Sequence, residues 1–191
     1  MDGAEKKEET VLAAATRETF PSQLTPLEQM FFDYHDLVYR TAFRVTGNSS
    51  DAEDVLQTVF MRLARQKSLP TLGESAPGYF RRAAINAAID LLRSNLPGRN
   101  VPLEDVEMHL AEQGVSSPEH RVMALEIRQF LRRSIAGFNP RDAEMFVLSA
   151  FEGFGNKEIA ALFRLRHTTV GVILHRVRIR LLNEMRSILG E

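Results

Sequence analysis

From Lys157 to Arg186 the chain carries seven basic residues (Lys157, Arg164, Arg166, Arg176, Arg178, Arg180, Arg186) against Glu158 and Glu184. Arg166 and His167 stand just ahead of Thr168-Thr169, which opens a long apolar-periodic stretch, and Arg176 and Arg178 follow within it. Guanidinium groups and hydroxyls at the start of a helix suit phosphate oxygens, because Arg meets phosphate bidentately and keeps its charge. A second basic cluster is Tyr79-Phe80-Arg81-Arg82, followed by Asn86 and Arg93. Aromatics beside Arg suit an unstacked single strand, which needs a π-surface and a phosphate partner. The Asn86 amide can read a base edge. The opposite sign gathers at Asp51, Glu53 and Asp54, with Gln57 one turn on. Each cluster has a plainer alternative. The two basic clusters can be solvated faces of core helices, with Phe80, Ile85 and Ile89 the core side of one of them. The acidic cluster can simply compensate a helix dipole.

Other chemistry lacks its residues. The five His show no metal-ligand spacing, and the sequence holds no phosphate-cradling Gly loop and no nucleophile elbow. Nothing calls for a cofactor or a metal, so binding is expected rather than catalysis. There is no Cys, which excludes a disulfide framework and a thiolate zinc site and fits a reducing cytoplasm. Residues 1–10 have no apolar secretory core, and no run approaches the roughly 18 apolar residues of a membrane span. The 191 residues are 44% apolar with a net charge of −1. That allows one or two packed domains and hides the opposed patches.

The elements that must hold these clusters are all helices. Residues 1–24 carry no strong period and read as a tail. Thr25-Pro26-Leu27-Glu28 combines a cap, a proline at the first helical position and the acid of a capping box. That helix is expected to stop at Gly47-Asn48. A second is expected from Ser50, with Glu53 completing another capping box and Asp51, Glu53 and Asp54 in its first turn. A third covers about 76–94. Residues 96–117 read as an acidic linker: six acidic residues stand against Arg121 alone between Val101 and Glu126. Ser117-Pro118-Glu119 opens a second domain, 118–191, with helices to about Ala136, from Asn139-Pro140 to near Gly153, over 156–163 and over 168–188. The short helix, the four residues Arg164-Leu165-Arg166-His167 and the capped long helix make a helix-turn-helix. Ala160 lets the two helices approach, and Ile159, Leu162, Leu165, Val170, Leu174 and Val177 pack between them. The fold class is therefore all-α, two helical domains (25–95 and 118–191) joined by an acidic linker, the second containing a helix-turn-helix.

Taken in order, three stretches resemble the sigma-70 family of bacterial RNA polymerase sigma factors, in its small extracytoplasmic-function group. They are Asp36 to Arg40 with the run Asp51-Ala52-Glu53-Asp54-Val55-Leu56-Gln57-Thr58-Val59-Phe60; Arg82 to Arg93; and Phe138-Asn139-Pro140-Arg141, Phe151-Glu152-Gly153 and the helix-turn-helix through Arg178. The resemblance implies a transcription initiation factor that gives core RNA polymerase promoter specificity and helps melt the promoter. Asp51, Asp54 and Gln57 would face the clamp coiled coil of the largest polymerase subunit, with Val55 and Phe60 holding the fold. Tyr79, Arg82, Asn86 and Arg93 would meet the single strand of the downstream promoter element. Arg166, His167, Thr168, Thr169, Arg176 and Arg178 would meet duplex DNA at the upstream element. The acidic linker would follow the polymerase RNA path.

Three positions depart from the pattern. Tyr79 stands where the family often has Trp, and Arg164 where it usually has Gly. Gly171-Val172-Ile173 stand where Lys, Ser and Arg are usual. The last departure removes base-reading groups from the middle of the recognition helix, so weak upstream discrimination is expected. Two other functions use the same residues. One is a dimeric helix-turn-helix regulator that works without polymerase, which would not need the Asp51-to-Phe60 run. The other is an interaction module in which an apolar Val170, Val172 and Ile173 patch binds a partner such as an inhibitory anti-sigma protein.

Overall fold

The computed structural model describes residues 24–95 and 118–189; the expected 1–24 tail, all but its last residue, and the expected linker over 96–117 lie outside them. Among the described residues there are seven α-helices and one short 3-10 turn, with no strand. We number them α1 (Pro26–Thr46), α2 (Ser49–Ala64), α3 (Ala76–Ser94), α4 (Pro118–Gly137), α5 (Pro140–Ala150), α6 (Asn156–Phe163) and α7 (His167–Leu189).

Local chemistry explains most of the boundaries. Thr25 and Glu28 form the expected capping box: the Glu28 amide donates to the Thr25 hydroxyl at 3.2 Å and the Thr25 amide to the Glu28 carboxylate at 2.7 Å. α1 ends on Gly47, whose φ of +62° a residue with a Cβ would resist. α2 begins one residue earlier than expected. Its cap is Asn48, whose side chain accepts the Asp51 amide at 2.7 Å, and the Ser50–Glu53 box does not form. Only Asp51 of the three acids therefore stands in the first turn. Asn139 caps α5 by accepting the Asp142 amide at 2.9 Å, and α5 closes at Ala150 rather than near Gly153. Such caps contribute about 1 kcal/mol each.

α1, α2 and α3 bury one apolar side apiece. Phe80 is fully buried at their junction, its ring 4.5 Å from Tyr34 and 5.6 Å from Phe60 between centroids. Ile85 and Ile89 continue that side of α3, while Val55, Val59 and Leu63 face it from α2. In the second half Val170, Leu174, Val177 and Leu181 are the buried side of α7, packed with Ile159, Ala160 and the α5 run Ala143 to Leu148. Glu184 ties α7 to α4. It accepts the Ser134 hydroxyl at 2.8 Å and Arg180 at 2.7 Å. Desolvation acts to raise its pKa, but those bonds outweigh it and the carboxyl lies below its ordinary value. The buried residues of both halves form one continuous cluster, because α3 also packs on α4 and α5 and touches Leu162 and Phe163 of α6. No described helix is long and apolar enough to cross a membrane.

Candidate nucleic-acid interface

The basic face of the helix-turn-helix is open. Arg166, His167, Thr168, Thr169, Arg176 and Arg178 are all exposed. Their order on α7 follows from helical spacing. Val170, Leu174, Val177 and Leu181 point inward, so Thr168, Val172, His175 and Ile179, at intervals of four, three and four, form the stripe facing directly outward. Arg176, four residues after Val172, borders one side of the stripe. Arg178, three after His175, borders the other. Two guanidinium groups flanking an outward stripe are suited to the two phosphate walls of a groove, with the helix N-terminus nearest the base edges. The centre of the stripe is apolar, with Val172 about half exposed, and Gly171 beside it has no side chain.

The apolar patch expected of an interaction module is smaller than the sequence suggested. Val170 is wholly buried in the helix-turn-helix core and Ile173 is half-buried; only Val172 of the three is exposed. The turn before α7 carries a strained residue. Arg164 ends α6 with φ 53° and ψ 47°, the left-handed conformation that costs a non-glycine residue about 1–2 kcal/mol. The turn therefore keeps its usual shape despite the missing glycine.

The first half presents a different picture. On α2, Asp54 and Gln57 are exposed on the side opposite Ala52, Val55 and Val59. Asp51 is not free, although the sequence placed it in an exposed acidic turn. Its carboxylate accepts from Arg132 of α4 at 2.8 Å, with side-chain exposures of 16% and 15%. Burial pushes the Arg132 guanidinium below its ordinary value; the Asp51 charge and hydrogen bond draw it back up, and Arg128 pushes it down. A guanidinium keeps its charge at neutral pH through such shifts.

On α3 the four expected strand-contacting residues divide. Tyr79 and Asn86 are half-buried, Tyr79 set edge-on to Phe80 with centroids 5.4 Å apart. Arg82 and Arg93 are occupied by the second half. Arg82 Nε donates to Glu144 of α5 at 2.6 Å, and its guanidinium lies 4.6 Å from the centre of the Phe163 ring. Arg93 donates to the backbone carbonyls of Ala136 and Phe138 at 3.2 and 2.8 Å, across the corner between α4 and α5. Glu144 and Glu152 are residues whose part the sequence reading missed. Glu152 takes Arg44 at 2.7 Å and Arg81 at 3.4 Å, with only 3% of its side chain exposed. A signal for Glu144 was present: a lone carboxylate inside the apolar run Ala143 to Leu148 requires a cation nearby.

Residues 30–96 match Sigma-70 region 2 and residues 129–181 match Sigma-70 region 4. These spans hold α1 to α3 and the helix-turn-helix, in the order the motifs run. The chain belongs to the sigma-70 family. It is 29% identical over 144 residues to the ferric citrate uptake sigma factor FecI of Escherichia coli, covering 75% of this chain and 81% of that one. It is 30% identical over 154 residues to the ECF RNA polymerase sigma factor SigE of Mycolicibacterium smegmatis, covering 79% of this chain and 58% of that one. With SigW of Bacillus subtilis, another ECF sigma factor, identity is 24% over 162 residues, 81% of this chain and 86% of the relative. This sigma factor belongs to the extracytoplasmic-function group. It is a transcription initiation factor, and the free-standing regulator gives way to that function.

Proposed function

We propose that this sigma factor docks on the clamp coiled coil of the largest subunit of core RNA polymerase through α2, and opens the promoter with α3. Asp54 and Gln57 make the first contact, joined by Asp51 once Arg132 has left it. Tyr79, Asn86, Arg82 and Arg93 hold the separated strand of the downstream element, the aromatic ring stacking and the guanidinium groups meeting phosphate. α7 lies in the major groove of the upstream element. There Arg166, His167, Thr168 and Thr169 are nearest the bases, and Arg176 and Arg178 meet phosphate on either side. The factor works by binding alone, in the cytoplasm, without a cofactor. The observation that carries this reading is the division of α2, whose Ala52, Val55, Val59, Phe60 and Leu63 are locked in the core while Asp54 and Gln57 are solvated.

The direct test is run-off transcription with purified core polymerase over a promoter library, comparing the natural chain with Asp54→Lys. A reversed charge against a basic docking surface typically costs several kcal/mol, so co-purification with core should fall at least tenfold with the helical circular dichroism intact. Undiminished recovery of Asp54→Lys on core polymerase would remove α2 from the docking surface. Val172 and Ile179 stay exposed along α7, and an inhibitory anti-sigma protein is the partner we assign to that stripe.

A further inference from the structure

The outward stripe of α7 has an apolar side chain at its centre, and its neighbours decide what that side chain can meet. Val172 points directly outward with 49% of its surface exposed, one turn after Thr168 and one turn before His175 and Arg176. α7 begins at His167, so Val172 lies within its first two turns, the part of a recognition helix that reaches base edges. Gly171 beside it carries no side chain, so the backbone there is free to approach one wall of a groove. Ile173 on the other flank is half-buried and packs against the core. The Val172 isopropyl group thus stands by itself at the middle of the proposed contact, with Arg176 and Arg178 on either side to hold phosphate.

An apolar group in that place is not neutral towards sequence. At their major-groove edges guanine offers N7 and O6, adenine N7 and an amino group, and cytosine an amino group. Thymine alone adds a methyl group, at C5. Pressing an isopropyl group on a polar edge strips water from it and returns no hydrogen bond, which is unfavourable. Pressing it on the thymine methyl takes two apolar surfaces out of water together. The same side chain therefore favours one base and disfavours the others without making a hydrogen bond of its own.

We infer that Val172 is a specificity residue that selects a thymine in the upstream element through its 5-methyl group. This inference rests on the placement of α7 in the major groove proposed above, and names the base that the middle of the helix reads. It also gives the weak upstream discrimination a direction. With Gly171, Val172 and Ile173 in place of polar readers, preference is confined to a methyl contact rather than lost. One buried methyl corresponds to about a fourfold change in affinity, less than a bidentate arginine–guanine contact supplies.

The test uses holoenzyme formed from the full chain and core polymerase. Promoters are recovered from a library randomised across the upstream element, and each enriched thymine is replaced singly by deoxyuridine, which pairs alike and lacks only the 5-methyl group. Competition binding then compares the natural chain with Val172→Ala and Val172→Thr, the latter keeping the shape and one methyl. With the natural chain, deoxyuridine at one position should cost about fourfold in affinity. Val172→Ala should bind the thymine and deoxyuridine promoters alike at that position, with its salt dependence unchanged because the phosphate-binding arginines are intact. Val172→Thr should keep part of the difference. An upstream element without an enriched thymine, or one in which no deoxyuridine has an effect, would overturn the inference. So would a deoxyuridine penalty of the same size in Val172→Ala, which would pass the methyl contact to another residue and leave Val172 to the inhibitory protein. Upstream binding indifferent to Arg176→Ala with Arg178→Ala would instead bring down the groove placement of α7, and the thymine reading with it.

Discussion

α3 and α7 are both amphipathic helices whose polar side is rich in arginine, and they differ in what lies over that side. On α7 the polar side meets solvent, and Arg176 and Arg178 are exposed. On α3 it meets the other half of the molecule, and Arg82 and Arg93 are bonded to it. Basic composition thus identifies a surface that attracts negative oxygen atoms without saying whose they are. The deciding residues are acids far along the chain, Glu144 being 62 residues from Arg82.

The largest expected effect comes from the element the two halves share. Phe80 is fully buried on the inner side of α3, and Phe80→Ala should destabilise the protein by about 3–5 kcal/mol. Because α3 touches both halves, urea melts followed by circular dichroism should show both halves lost together in a single, lowered transition. Loss of the α1–α3 signal alone would show that the halves are energetically independent and that the covering of α3 is weak.

Next comes the reading function of α3. No described residue hydrogen-bonds the Asn86 amide, so Asn86→Ala disturbs the strand contact without loosening the second half. Arg93→Ala would do both. Asn86→Ala should reduce open-complex formation by about 1–3 kcal/mol, seen as weaker permanganate reactivity of unpaired thymines at unchanged polymerase binding. Full reactivity would exclude Asn86 as a reader.

The open helix should answer to salt instead. Arg176→Ala with Arg178→Ala removes two phosphate contacts, so the slope of log affinity against log salt for duplex DNA should fall by about two units. The loss should be nearly the same for every sequence. A change confined to one sequence would mean that these arginines read bases.

The smallest effect sharpens the recognition helix. Gly171 lies inside α7, where Gly costs about 1 kcal/mol relative to Ala. An added Cβ would stand 3.4 Å from Nδ2 of Asn156, an exposed side chain that can shift. Gly171→Ala should raise the melting temperature of the single transition by roughly 2–4 °C. A lowered melting temperature would show that the Asn156 contact cannot yield.

Helix starts were readable wherever a cap and a proline coincide, as at Thr25-Pro26 and Asn139-Pro140, because both act through bonds within one turn. The start of α2 was misplaced for a local reason. Asn48 and Ser50 are both capping residues, and the left-handed Gly47 delivers Asn48 in the extended conformation a cap needs. The helix-turn-helix core was legible because Ile159, Val170, Leu174 and Val177 keep the helical period. That Arg164 would hold the turn without glycine was not legible, since packing around the turn overrides its backbone preference. The covering of Asp51, Arg82 and Arg93 leaves no periodic trace, because it joins charges whose separation along the chain is set by the fold. Asp54, Gln57 and the exposed residues of α7 stand where the spacing put them.

Covering α3 also changes how the factor competes for targets. Any cell offers a vast excess of DNA phosphate, and each accessible arginine adds to indiscriminate attraction to it. With Arg81, Arg82 and Arg93 already paired, α3 adds less to that attraction than its four-residue run of aromatics and arginines would suggest, and the exposed arginines of α7 carry more of it.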